Sequence, residues 1–88
     1  MKIKEGFLMR QVGGNNVVVP VGVQAVDFRC LITLNEVGAF LWQKLNNDCT
    51  VADLVDALLG EYDVPADVAT ADVERFVASL REKNLLDE

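Results

Sequence analysis

Residues Ile32–Trp42, ITLNEVGAFLW, join a strand-like run to an apolar helix within a few residues. The run FRCLITL, at 28–34, has the two-residue period of a strand with one buried face. Phe28, Cys30, Ile32 and Leu34 form the set expected to face the core. The junction therefore predicts a strand that ends where a helix begins, and it raises the question of what that strand does.

The start of this helix has two possible caps. Asn35 is a good N-cap residue, with Glu36 well placed in the first turn for the helix dipole. Thr33 with Glu36 also fits a capping box two residues earlier. We favour Asn35, because a cap at Thr33 would shorten an already short strand.

The segment before the junction is predicted to form a hairpin. Phe7 and Met9 alternate with Leu8 and Arg10, and then Gly13-Gly14-Asn15-Asn16 precedes the run VVVPVGV. An apolar run, a Gly/Asn cluster and a β-branched run are typical of a β-hairpin. Pro20 should end the second strand or lie on an edge. Residues 21–27 are predicted to be a loop.

The segment after the junction is predicted to form three helices. The first spans about 35–46, the second follows a Thr50 cap with Asp53 at the third position, and the third spans about 66–83 after Pro65. Asn84 is the expected stop of the third helix, and Leu85-Leu86 should fold back on its last turn. The apolar stripes place Leu41, Leu54, Leu58 and Phe76 in the core.

The sequence therefore predicts a single α+β domain over residues 1–88. Three short antiparallel strands precede three helices, in the order β-β-β-α-α-α, and this architecture is similar to winged helix-turn-helix folds. Fold alone does not imply function.

The charge and hydropathy of the chain exclude several classes of protein. A net charge of −6 argues against nucleic-acid binding, whose affinity comes from Lys and Arg at phosphates. The third helix is itself net acidic, which does not suit a recognition helix. VVVPVGV is far too short to span a bilayer, and the first ten residues lack an export signal. We expect a cytoplasmic protein that does not bind membranes.

The sequence contains no recognisable catalytic or metal constellation. It has no histidine, and its two cysteines, Cys30 and Cys49, lack the spacing of a zinc site or a redox pair. In a reducing compartment they are expected to be free thiols, although a disulfide is the alternative. We therefore expect no enzyme activity, no catalytic residues, no metal and no cofactor.

The third strand has no later strand to cover its outer edge. Such an edge can take up an extended peptide as an added strand, with main-chain hydrogen bonds for affinity and side-chain pockets for specificity. The pattern alone favours the simpler alternative that the edge is short and solvated, or covered by a helix.

A resemblance to a known family bears on this choice. The segments ITLNEVGAFLWQKL, TVADLVDALLGEYDV and DVERFVASLREKNLLDE, in this order and spacing, resemble the PqqD-like family over about 17–86. The resemblance implies a winged-helix peptide chaperone, also called a precursor-peptide recognition element. Such a protein binds the leader of a ribosomally made precursor peptide and presents it to a modifying enzyme, often a radical SAM protein.

The resemblance also implies where the leader binds. It is taken as an added strand at the third strand, against the third helix. The groove floor would then be Phe28, Arg29, Cys30, Leu31 and Ile32, and its wall would be Val73, Phe76, Val77, Leu80 and Arg81. The competing hypothesis is a regulatory or scaffolding module on the same fold, whose edge meets a folded protein or a second copy.

Overall fold

The computed structural model describes residues 1–21 and 32–88. Within these ranges the chain forms five strands and three helices. In chain order they are β1 (Lys2–Ile3), β2 (Phe7–Val12), β3 (Asn15–Pro20), β4 (Ile32–Leu34), α1 (Glu36–Lys44), α2 (Val51–Glu61), α3 (Ala66–Glu82) and β5 (Leu86–Asp87).

The main sheet is antiparallel, with the strand order β2-β3-β4. Gly13 and Gly14 form the turn between β2 and β3 and have φ angles of 57° and 83°, a region that glycine adopts without a steric penalty. Pro20 is the last residue of β3, opposite Phe7. The predicted hairpin is therefore confirmed, and its second strand ends at the proline.

One face of this sheet packs on the helices. Val18 and Leu34 are buried and Ile32 is half-buried, whereas Thr33 on the other face is exposed. The predicted inward face of the third strand is thus confirmed for β4. The other members of that set, Phe28 and Cys30, lie outside the described residues, as does the predicted loop from residue 22 onward.

The caps of α1 and α2 follow the prediction. The Asn35 side chain accepts a hydrogen bond from the Gly38 N–H at 2.7 Å, so Asn35 is the cap. Thr50 and Asp53 form a reciprocal capping box, with bonds of 2.9 and 3.1 Å between each side chain and the other residue's N–H. Helix α1 ends at Lys44, two residues before the predicted end at about residue 46, because apolar residues continue past its last turn.

The end of α3 is closed by a Schellman motif. Asn84 has a φ of 60°, and its N–H donates to the Arg81 carbonyl at 3.0 Å. The Leu85 N–H reaches back to the Leu80 carbonyl at 2.9 Å. These two bonds satisfy carbonyls that the helix end would leave unpaired. The predicted stop at Asn84 and the return of the chain at Leu85 are confirmed.

The two-stranded sheet of β1 and β5 was not predicted. Ile3 pairs with Leu86, and the Lys4 N–H donates to the Leu85 carbonyl at 2.9 Å. The Ile3 N–H also donates to the Leu45 carbonyl at 2.9 Å. The first residues of the described chain therefore tie the end of α1 to the segment that follows α3.

The core lies between the main sheet and the three helices. Leu41, Leu54 and Leu58 are buried as predicted. Phe76 is only half-buried and packs against the edge of the core, because its position on α3 is turned away from the centre of the buried stripe. The predicted order of three antiparallel strands followed by three helices is confirmed.

Replacement of Leu54 by Ala should lower the free energy of unfolding by about 2–5 kcal/mol, because its side chain is fully buried. The matched control is Leu59→Ala on the same helix, where the side chain is 38% exposed and the loss should stay below about 1 kcal/mol. Urea denaturation followed by circular dichroism measures both. Equal losses would show that the inward stripe of α2 is misplaced.

Replacement of Asn84 by Ala should destabilise the protein by about 1 kcal/mol, because alanine lacks the short polar side chain that lets asparagine adopt the left-handed conformation. Asn84→Gly should change stability by less than about 0.5 kcal/mol, since glycine adopts this φ freely. The difference between the two variants in urea unfolding isolates the backbone contribution. An Ala variant as stable as the Gly variant contradicts the motif.

Candidate functional site

Strand β4 lies at one edge of the main sheet. Ile32 pairs with Val18 and Thr33 with Val17 of β3, and no strand pairs with the other side of β4 among the described residues. In an antiparallel pair, successive residues direct their N–H and C=O groups to alternate sides. The outer side of β4 therefore carries main-chain donors and acceptors available to a further strand.

A cavity of about 420 Å³ opens where β4 ends. It lies between the first turns of α1 and the middle of α3. Its floor is apolar, since Leu41 is buried and the side chains of Val37 and Phe76 are half-buried. The lining residues are Asn35, Val37, Gly38, Leu41, Asp72, Arg75 and Phe76.

Gly38 brings three elements into contact at this cavity. A β-carbon on Gly38 would lie 3.4 Å from Cε1 of Phe76 and 3.5 Å from Cβ of Leu34. It would also lie 3.1 Å from Oδ1 of Asn35, the atom that caps α1. A glycine inside a helix costs about 1 kcal/mol relative to alanine, so its place here indicates a packing requirement. The distance to Asn35 Oδ1 is the tight one, so the missing side chain leaves room for the capping oxygen of α1.

An ion pair stands at the mouth of the cavity. The Arg75 guanidinium donates to the Asp72 carboxylate one helical turn away. The Arg75 side chain is 77% exposed and that of Asp72 is 33% exposed. Exposed pairs of this kind contribute little to stability, so the two side chains are free to rearrange around a ligand.

The predicted site residues fall into four groups. Phe28, Arg29, Cys30 and Leu31 lie outside the described residues. Ile32 lies in β4, half-buried and opposite Val18, and Phe76 forms part of the cavity wall. The buried residues Val73, Val77 and Leu80 form the third group, and Arg81 forms the fourth.

Three of the predicted wall residues belong to the core. Val73, Val77 and Leu80 have at most 1% of their surface exposed, so their side chains offer no wall to a groove. The helical period explains this burial, because the three lie on the stripe of α3 that faces the core. The row beside that stripe, which contains Asp72 and Phe76, borders the cavity instead.

Arg81 and Phe76 lie on opposite sides of the buried stripe of α3. Five residues separate them, which places the two about 140° apart around the helix axis. The Arg81 Nε and one terminal nitrogen donate to the Glu88 carboxylate at 2.8–3.1 Å. These hydrogen bonds raise the pKa of the Arg81 guanidinium and lower the pKa of the Glu88 carboxyl. Arg81 is therefore engaged in an ion pair away from the cavity.

Sequence reasoning identified only Phe76 among the seven cavity residues as a site residue. Asn35, Val37 and Leu41 were assigned only to the cap and apolar stripe of α1, and Asp72 and Arg75 were considered only in the net charge of the third helix. The sequence did contain a signal for Gly38, because a glycine inside an otherwise good helix indicates a packing or functional requirement. Asp72 and Arg75 were recognisable only once the crossing of α1 and α3 was known.

Neither residues 1–21 nor residues 32–88 contain a buried charged or polar side chain or a cluster that could hold a metal ion. Cys49 is half-buried, and this burial raises the pKa of its thiol, which disfavours the nucleophilic thiolate. In the same ranges, no helix has the length and apolar character needed to cross a bilayer.

Comparisons with known proteins agree with this architecture. A family model described as coenzyme PQQ synthesis protein D (PqqD) matches residues 26–86. No relative was found among curated proteins. Two solved structures share the fold.

The first is TbiB1 in complex with the TbiA(beta) leader peptide. It is 24% identical, with a TM-score of 0.76 over 99% of this chain and 95% of that chain. The second is lasso peptide synthetase B1 complexed with the leader peptide. It is 23% identical, with a TM-score of 0.74 over 96% of this chain and 93% of that chain.

The family match includes β4, all three helices and the return at Leu85, which together carry the cavity and its edge strand. Because it spans more than half of the chain, we conclude that this protein belongs to the PqqD family.

Proposed function

We propose that this protein binds an extended segment of a precursor-peptide leader at the outer edge of β4 and presents the rest of the peptide to a modifying enzyme. The observation that carries the proposal is an edge strand that leads directly to a cavity with an apolar floor and polar side chains at its mouth. An edge supplies main-chain hydrogen bonds, and a cavity beside it selects side chains, which together make a strand-addition site.

The cavity suits a side-chain anchor. Its volume of about 420 Å³ lies within the roughly 300–1,000 Å³ range of ligand pockets. Its apolar floor rewards the burial of an apolar side chain by about 25 cal/mol per Å². A side chain that projects from a peptide strand paired with β4 would enter this space beside the Phe76 ring.

The two solved relatives support the proposal, because both carry a leader peptide. The family description names coenzyme PQQ synthesis and one of the solved relatives is a lasso peptide synthetase. Leader recognition is thus compatible with different final products. We propose that the present protein contributes binding and not catalysis, and that its partner enzyme belongs to the radical SAM class.

Proline substitutions in β4 test the edge directly. Ile32 and Thr33 direct their N–H groups to opposite sides of the strand, one toward β3 and one toward the outer edge. Proline at the first kind of position should unfold the domain. Proline at the second should leave it folded and weaken peptide binding at least tenfold, because a donor to the added strand is lost.

The measurement is fluorescence anisotropy with a labelled synthetic leader, taken from the precursor gene beside the gene for this protein. Circular dichroism identifies which of Ile32→Pro and Thr33→Pro remains folded. A folded variant that binds the leader as tightly as the wild type contradicts strand addition. If the wild-type protein binds no leader, the scaffolding hypothesis becomes the better one.

Phe76 tests the cavity independently of the strand. Phe76→Ala should weaken leader binding about tenfold, because it removes the aromatic wall of a central anchor pocket. Phe76→Leu keeps an apolar wall and should stay within about threefold of the wild type. Arg81→Gln serves as the control on the far shoulder of α3, where the expected change is less than about twofold. Equal binding by all three variants would exclude the cavity from the site.

A further inference from the structure

A second apolar surface borders the cavity. Phe40 and Tyr62 are half-buried, and their rings meet edge to face with centroids 5.6 Å apart and planes at 90°. Leu59, 38% exposed, lies three residues before Tyr62. Together with the half-buried Val37, these residues form what we call the aromatic face.

The aromatic face is continuous with the cavity. Val37 lines the cavity, and Phe40 follows it by three residues on α1, which makes the two side chains neighbours on the helix surface. A peptide that leaves the outer edge of β4 at the cavity therefore has the aromatic face directly beside it, on the next strip of α1.

Helix α2, which ends next to Tyr62, belongs to an acidic stretch of the chain. Residues 45–74 contain eight of the fourteen acidic residues of the chain and no lysine or arginine. Burial raises the pKa of the Tyr62 phenol, and the charges of Glu36 and Glu61 raise it further. Both carboxylates are thus close enough to Tyr62 to act on its charge state, and both are exposed.

The same face already receives a cation from within the chain. The Lys44 ammonium nitrogen lies 5.2 Å from the centroid of the Phe40 ring. This distance is within the range at which an aromatic face attracts a cation. An aromatic pair flanked by carboxylates suits the long side chain of arginine or lysine, whose stem packs on the rings while its charge meets the acids.

We infer that the leader carries a basic side chain just beyond the segment that pairs with β4, and that the aromatic face binds it between Glu36 and Glu61. This inference rests on the proposed function and specifies the chemistry of the peptide. Continuity with the cavity favours the peptide over a folded enzyme as the occupant, because a chain that leaves the edge of β4 at the cavity reaches Val37 and then Phe40.

Two variants of the full chain test the inference against a matched control. Glu61→Lys reverses a carboxylate beside Tyr62, and Tyr62→Leu removes the aromatic face but keeps an apolar side chain. Each should weaken binding of the labelled leader about three- to tenfold. Glu74→Lys changes the net charge equally from the far shoulder of α3 and should have an effect below about twofold.

Two further measurements identify what binds to the aromatic face. A leader with its Lys and Arg replaced by Gln should bind the wild type more weakly and should lose its sensitivity to Glu61→Lys. The effect of Glu61→Lys on the unmodified leader should shrink between about 0.05 M and about 0.5 M NaCl, because salt screens exposed charges.

The outcomes separate this inference from the proposed function. If Phe76→Ala weakens binding while Glu61→Lys and Tyr62→Leu do not, the peptide binds at the cavity and the aromatic face is not part of its site. A leader without basic residues overturns the inference equally. If Glu61→Lys weakens only the association with the modifying enzyme, the face belongs to that enzyme. Failure of the wild type to bind any leader overturns both proposals.

Discussion

The hydrogen bond from the Gly38 N–H to the Asn35 side chain, at 2.7 Å, fixes the junction on which the site depends. It starts α1 directly after β4 and leaves no linker that could change the angle between strand and helix. The same turn places Gly38, which has no side chain, opposite the Phe76 ring. The Asn35–Gly38 pair therefore holds the free edge of β4 in a fixed position relative to the cavity and to α3.

Helix α3 serves the core and the cavity with different rows of side chains. Val73, Val77 and Leu80 are buried, while Asp72 and Phe76 lie on the adjacent row that borders the cavity. A period of 3.6 residues makes this division possible, because residues three and four apart stay in register along the helix. Substitutions in the cavity row can therefore change recognition while the row that anchors the helix stays intact.

The parts of the fold that could be read from the sequence are those with local physical causes. The caps at Asn35 and Thr50, the stop at Asn84 and the buried stripes each depend on residues within one or two turns of each other. Strands β1 and β5 have two residues each, so they carry no periodicity, and only their pairing reveals them. Arg81 was assigned to the wall by the family resemblance, and the pattern alone did not determine which side of α3 faces α1.

The two edges of the main sheet are not equivalent for a peptide. Main-chain hydrogen bonds alone give affinity without selectivity, since every peptide offers the same donors and acceptors. Selection requires side-chain surfaces next to the paired strand. Strand β4 has them, because the cavity begins at Asn35, directly after the strand. The acidic region 45–74 contains α2 and the first half of α3. In the proposed complex, the shape of the cavity selects one side chain of the peptide, and the acidic residues beside the cavity select the charge of another.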